Sequence, residues 1–234
     1  MVRMIRKVRR LREKIMLLEQ LNKRIANIEI PVRMRNLKVS DEGYPVPWFV
    51  PWYDGKWEFR GMDSEKFKIA IRHKKCWLCG DTLGVHMTFV LGPMCIVTRT
   101  TSEPPCHHDC AEYAVRACPF LTQPRMRRNE VGLPEERDVA GTMIKRNPGV
   151  TALWTTRSYK LFRAEGGSGV LFTVGDPEKV EWYAESRRAK REEIIYSIDT
   201  GLPILVKEAA KDGPEAVVQL KHQVNDAMRY IPQE

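Results

Sequence analysis

No run of about 18 apolar residues occurs anywhere in the 234-residue chain, and its first residues are crowded with charge where a signal sequence would place an apolar stretch. Neither a membrane span nor secretion is indicated, and the expectation is a cytoplasmic protein. Cysteine is absent outside residues 76–118, where all six are confined together with histidine. That crowding suits a reducing compartment and metal binding better than a disulfide framework. Cofactor fingerprints are missing as well. The glycine-rich stretch Glu165 to Gly169 lacks both the Lys-Ser/Thr of a P-loop and the following helix of a dinucleotide fold. Residues 150–234 show no paired carboxylates and no Ser-His-Asp order. What remains is an ordinary globular composition, 43% hydrophobic, sufficient for one large or two small cores.

The most specific pattern is Cys76-Trp77-Leu78-Cys79-Gly80, followed by Cys106-His107-His108-Asp109-Cys110. Tetrahedral zinc takes four thiolate or imidazole ligands, usually as two close-spaced pairs on either side of a connecting segment. The C-x-x-C turn puts both sulfurs on one side of a tight loop, and Gly80 permits the sharp backbone that turns amides toward them. The second pair is open: His107 and Cys110 lie three apart on one helical face, and Cys106 with Cys110 shares a face at i, i+4. Pro104 and Pro105 suit the first turn of a helix running through Ala117. Cys118 lies about 12 Å along that helix beyond Cys110, too far for the same ion. Rival uses of these residues are an iron–sulfur cluster with Cys118-Pro119 as late ligand, a redox dithiol, or plain buried cysteines. A zinc deaminase is excluded, because no H-x-E lies upstream and Cys106 and Cys110 are separated by three residues.

Between the pairs, residues 85–98 carry two β-rich stretches around Gly92-Pro93 and read as a hairpin. Knuckle, hairpin and ligand-bearing helix in this order resemble the treble-clef zinc finger over about residues 73–121. The wider stretch, with Arg116-Ala117-Cys118-Pro119-Phe120, is similar to a family of uncharacterised bacterial and phage proteins. The first resemblance implies structural zinc held by Cys76, Cys79, His107 and Cys110, with Cys106 as alternate; the second implies no activity. Treble clefs also host His-Me nucleases, for which His86 or His108 would be the weak catalytic candidates.

Charge is concentrated at the start. Of the net +9, residues 1–27 contribute nine basic side chains, Arg3, Arg6, Lys7, Arg9, Arg10, Arg12, Lys14, Lys23 and Arg24, against Glu13 and Glu19. Such an arm is suited to phosphate backbones, with steep salt dependence. Met1, Met4, Val8, Leu11, Ile15, Leu18, Asn22 and Ile25 also alternate at spacings of three and four, a heptad seam with Asn22 at an a-type position. The helix would either dock on its own domain or self-associate, giving a possible homodimer.

Residues 28–72 are punctuated by proline and aromatics. Asp54-Gly55 predicts a tight hairpin, and Asp63 or Ser64 caps a short helix leading to Cys76. The aromatics of residues 48–59 read as core, with base stacking as the other use. Residues 123–149 form a linker loop and short helix, where Arg125, Arg127 and Arg128 make a second basic patch. Strands are expected at 150–162 and 169–174. Asp176-Pro177 predicts a helix over 176–185, and further helices at 189–199, 203–211 and 214–230 are separated by Gly201-Leu202-Pro203 and Asp212-Gly213-Pro214.

The expected architecture is α+β: a basic N-terminal helix (1–27), a Pro/aromatic segment (28–72), a treble-clef-like zinc module (73–122), a linker (123–149) and a small sheet capped by helices (150–234). The expected function is nucleic-acid binding without catalysis, stabilised by structural Zn2+. An oligomeric interaction protein of phage origin using residues 1–27, and a metal-dependent nuclease, are the alternatives.

Overall fold

The computed structural model describes residues 19–126, 147–163 and 169–233. Within them the fold is mixed α and β, built around an antiparallel sheet covered on both faces. Residues 19 and 20 are helical, but the chain leaves the helix at Leu21 and winds through turns to Ile28. A 3-10 turn follows at Val32–Met34. The hairpin β1 (Trp52–Tyr53) and β2 (Lys56–Trp57) turns on Asp54 and Gly55, both at positive φ (49° and 74°), as Asp-Gly predicts. Helix α1 (Ser64–His73) begins where expected: the Asp63 carboxylate accepts from the amides of Glu65 and Lys66.

The segment expected to be a hairpin at 85–98 is instead β3 (Met87–Leu91) followed by the short helix α2 (Pro93–Thr98). Gly92-Pro93 is a helix start, with Gly92 at the N-cap and Pro93 at the first helical position, where its missing N–H costs nothing. Strand β4 (Thr100–Thr101) precedes α3 (His108–Ala117) and the single turn α4 (Pro119–Thr122). Pro104 and Pro105 lie before the α3 N-cap, His107, rather than in its first turn.

The second half supplies β5 (Thr151–Thr156), β6 (Tyr159–Arg163), β7 (Val170–Val174), β8 (Pro177–Ala184) and β9 (Arg187–Arg188). Residues 176–185 are therefore a strand, not a helix. Pro177 sits at the strand's first residue, a position that needs no donor, and the alternation of Val180, Trp182 and Ala184 with Glu181 and Tyr183 suits a strand covered on both faces. Helix α5 runs unbroken over Arg191–Ala209 with Pro203 inside it, and α6 spans Pro214–Met228. The break expected at Gly201-Leu202-Pro203 does not occur. Ile194 and Ile198 are buried in the core, Gly201 lies against Met94, and this packing outweighs the roughly 3 kcal/mol that an interior proline costs.

Besides the β1-β2 hairpin, the described residues form two larger sheets, ordered β3-β5-β8-β9 and β4-β7-β6, all antiparallel. Of the four-stranded sheet, Phe89, Leu91, Ala152, Trp154, Trp182 and Ala184 face α2, α5 and α6. Leu153 and Tyr183 face the cysteine module and α3. Trp154 is fully buried; its indole N–H donates to the Gly175 carbonyl at 2.9 Å, and the Arg99 guanidinium lies 4.3 Å from its ring centroid. Strand β3 also exchanges both backbone hydrogen bonds between Thr88 and Cys106, 2.9 and 2.7 Å. One strand thus belongs to the sheet and reaches the edge of the cysteine cluster.

No helix among the described residues is long and apolar enough to cross a membrane.

Candidate metal centre

The first ligand pair is fixed by a tight turn between α1 and β3. The amide of Cys76 donates to the Asp81 carbonyl (2.7 Å) and the amide of Gly80 to the Cys76 carbonyl (2.9 Å), so the chain doubles back on itself around Cys79. Gly80 has φ +81°, and a Cβ there would meet the Trp48 ring at 2.8 Å. Trp77, between the two cysteines, is buried, stacked on Phe49 with ring centroids 4.6 Å apart and edge-on to Phe67 at 5.7 Å. The loop is thereby anchored to the Pro/aromatic segment and α1. Its link to the second pair is direct, since the Trp77 amide donates to the Pro105 carbonyl (3.1 Å).

The second pair comes from the start of α3: His107 is the N-cap and Cys110 lies three residues on. Cys76, Cys79, His107 and Cys110 each offer a ligand atom, all within 4.8 Å of one another. The Cys79 sulfur and His107 Nδ1 are 3.4 Å apart. Tetrahedral zinc with bonds of about 2.3 Å to sulfur and 2.0–2.1 Å to nitrogen places such atoms about 3.5 Å apart. The other imidazole nitrogen, Nε2, lies 3.1 Å from the Thr82 carbonyl. Donation by Nε2–H to that carbonyl leaves the Nδ1 lone pair directed at the cysteines, the tautomer a metal ligand requires. The donor set and spacing fit a metal ion, and zinc suits three thiolates and one imidazole.

Electrostatics agree with that chemistry. Hydrogen bonds from Cys106, Cys110 and Cys79 hold the Cys76 thiol far below its ordinary range, as a thiolate. The same thiolate pushes Cys110 up, and raises Cys106 in concert with burial. His107 is pushed up to about 10 by Cys76 and then Cys79. Protons accumulate where a divalent cation would serve instead.

Cys106 is buried beside Cys76 but outside the four clustered ligands, and Cys118 is outside them too. Neither histidine considered for catalysis joins the cluster. His86 pairs with Glu178 at 2.5 Å, and Arg157 reaches the same carboxylate at 2.6 Å. His108 Nε2–H donates to Glu181 at 2.5 Å; Glu181, only 6% exposed, also takes Lys179 at 2.9 Å and Arg188. This buried carboxylate, bonded to His108 and to the cations Lys179 and Arg188, ties α3 to β8 and has no recognisable signature in the sequence.

Of the expected nucleic-acid contacts, Arg3, Arg6, Lys7, Arg9, Arg10, Arg12, Lys14, Arg127 and Arg128 lie outside the described residues, and Arg125 is exposed. The heptad reading does not extend through Asn22. Its amide N–H2 donates to the Glu42 carbonyl and its side-chain oxygen accepts from the Arg24 amide, both at 3.0 Å, while Leu21 and Ile25 are buried in the protein's own core. Sequence reading passed over Arg72-His73-Lys74-Lys75, which runs unbroken into Cys76. Arg72, His73 and Lys74 are exposed, and the stretch from Lys66 to Gly80 contains no carboxylate. An acid-free basic run abutting a C-x-x-C is the signal that would have found it. The aromatic segment divides: Trp48 and Phe49 pack against the core, whereas Trp52 and Tyr53, also expected there, are exposed.

Compared with family models, characterised proteins and solved structures, the chain matches none significantly.

Proposed function

We propose that the chain is an intracellular, zinc-stabilised nucleic-acid-binding protein that acts without catalysis. The observation that carries the reading is the acid-free cationic run at the end of α1. Among the described residues Arg72 and Lys74 make no ion pair, and both stand immediately before the first ligand of the cluster. Zinc held by Cys76, Cys79, His107 and Cys110 would fill all four coordination positions with protein atoms and serve structure. The order of knuckle, strand and ligand-bearing helix supports a treble-clef-like reading, with Thr88 and Cys106 as the remnant of the hairpin and α2 with β4 inserted between them. Fixing Cys76 against His107 sets the direction in which α1 delivers its cations. The basic side chains of residues 1–18 would add phosphate contacts to this surface.

Two measurements test the reading. Elemental analysis of purified protein should give one zinc per chain, lost in Cys110→Ala and His107→Ala and kept in Cys106→Ala. Binding to a labelled duplex should weaken with salt, the slope of log K against log salt falling by about 0.9 for each phosphate contact removed. Replacing Arg72, Lys74 and Lys75 by Gln, or the seven cations Arg3 to Lys14 by Gln, should each lower that slope. A slope of zero in the wild type, or one unmoved by both sets, would refute the assignment. The sets stop short of Leu21 and Ile25 because those side chains belong to the core.

A further inference from the structure

The β1–β2 hairpin holds aromatic rings in water on a rigid support. Trp52 is 58% and Tyr53 71% exposed, although the turn between the strands is a two-residue one in which Asp54 and Gly55 are both left-handed. Trp57 stands edge-on to Trp52, with ring centroids 4.7 Å apart, and props that ring against the hairpin. The register pairs Trp52 with Trp57 and Tyr53 with Lys56, so each face of the ribbon presents one exposed ring, and Lys56 accompanies Tyr53. Phe59 and Met62, in the segment between the hairpin and α1, are both nearly half exposed. Exposed aromatics on a short hairpin contribute little to a core, and a ring held out on each face of one ribbon offers stacking surfaces to a ligand.

Charge identifies the ligand. The hairpin base and the start of α1 form one unit: the Asp63 amide donates to the Phe49 carbonyl (2.9 Å), and Lys66 Nζ donates to the Val50 carbonyl (3.4 Å) and lies 6.0 Å from the Trp48 ring centroid. From that anchor α1 extends about 15 Å; Lys68 is paired with Glu65 (2.7 Å), and one turn further on Arg72 and Lys74 stand exposed at its end with Lys75 beside them. On the hairpin side Glu58 is neutralised by Arg60 through two hydrogen bonds, 2.6 and 2.7 Å, leaving Asp54 as the carboxylate at the turn. Aromatic faces followed by a line of cations match a ligand with open base faces and a phosphate chain. A duplex hides its bases in the stack, so the rings select a single strand.

We propose that the hairpin is a base-stacking platform for single-stranded nucleic acid, with Trp52 and Tyr53 receiving bases and the phosphates led along α1 to Arg72 and Lys74. This rests on the nucleic-acid binding proposed above. The test is fluorescence anisotropy with the full-length, zinc-loaded chain, using a labelled oligothymidylate of about 20 nucleotides and a duplex of the same length, across a salt series. The double variant Trp52→Ala/Tyr53→Ala should weaken oligothymidylate binding by roughly tenfold to a hundredfold while the duplex affinity and the salt slope stay as in the wild type. Trp52→Phe/Tyr53→Phe, which keeps the rings, should recover most of the loss.

Salt-dependent wild-type binding with oligothymidylate affinity unchanged in the double alanine variant would overturn the platform and leave the nucleic-acid reading standing. Absence of wild-type binding to either probe would overturn both. Equal losses on single strand and duplex, or a self-association in sedimentation that the alanine variant abolishes while nucleic-acid affinity stays constant, would likewise overturn the single-strand assignment.

Discussion

Gly80→Ala should cripple the cysteine loop, and the structure gives the size of the effect. Two penalties add at this position. The residue sits at φ +81°, where an L side chain costs about 1–2 kcal/mol. A Cβ would also stand 2.8 Å from two atoms of the Trp48 ring, which is locked by its own amide donating to the Leu78 carbonyl at 2.7 Å and by edge contact with Trp77. Overpacking of this kind costs about 1–3 kcal/mol, so the sum is about 2–5 kcal/mol. If the loop relieves the strain by opening, the penalty falls on metal binding, and at 1.4 kcal/mol per decade zinc affinity drops about thirtyfold or more. The assay is equilibrium competition with a chromogenic chelator, alongside urea unfolding of the zinc-loaded protein. Gly55→Ala is the control: its φ is +74° but a Cβ there meets nothing within 4 Å, so it should lose only the dihedral cost and leave zinc affinity intact. Trp48→Ala in the Gly80→Ala background should restore part of the loss, because only the dihedral strain then remains at Gly80. Zinc affinity and stability of Gly80→Ala both within about 0.5 kcal/mol of wild type would refute the reasoning.

Glu181→Gln should destabilise by up to about 3 kcal/mol at neutral pH. Burial alone would raise this carboxyl, but hydrogen bonds from His108, Lys179 and Arg188 lower it from 4.5 to about 2. A depressed carboxylate stabilises the fold fully above its unfolded pKa and loses that contribution as pH falls toward 2, so the gap between wild type and variant in urea titrations should shrink below about pH 4.5. A gap independent of pH would show that the carboxylate's charge is not the source. Trp154→Ala should cost about 3–5 kcal/mol, read by chemical denaturation, because it empties a fully buried site and removes one of the two hydrogen bonds to the Gly175 carbonyl, leaving the one from Arg99. Asn22→Leu should lose about 1 kcal/mol through its two turn hydrogen bonds and leave the sedimentation coefficient unchanged; a shift in oligomeric state would revive the heptad reading.

Local chemistry was legible where a short motif carries its own reason. Asp54-Gly55 specifies a tight hairpin, Asp63 caps α1, and the spacing of Cys76, Cys79, His107 and Cys110 picked out four side chains that the fold brings close enough to hold a metal ion, although spacing alone left Cys106 open against His107. Proline was the weak point, because it announces a boundary without saying which element begins. Gly92-Pro93 starts a helix where a turn was expected, and Asp176-Pro177 starts a strand where a helix was expected. The second misreading has a tertiary cause: β8 is the strand that β5 and β9 flank, and the pairing of Trp154 with Val180 and Ala152 with Trp182 outweighs a local helix signal. The acid–base network around Glu181 was illegible for a related reason, since its members lie on β8, β9 and α3, joined only by folding.

Strand β3 has a thermodynamic consequence. It hydrogen-bonds to Cys106, next to His107 of the candidate metal cluster, and over its whole length to β5 at the centre of the sheet. Free energy released when a cation binds the cluster is therefore not spent on a small finger alone. It is shared by linkage with the sheet and with the helices packed on its far face, at about 4 kcal/mol when free metal exceeds its dissociation constant a thousandfold. With zinc in the cluster, as proposed, the melting temperature of residues more than a hundred positions from Cys76 would become a gauge of the zinc activity around the protein.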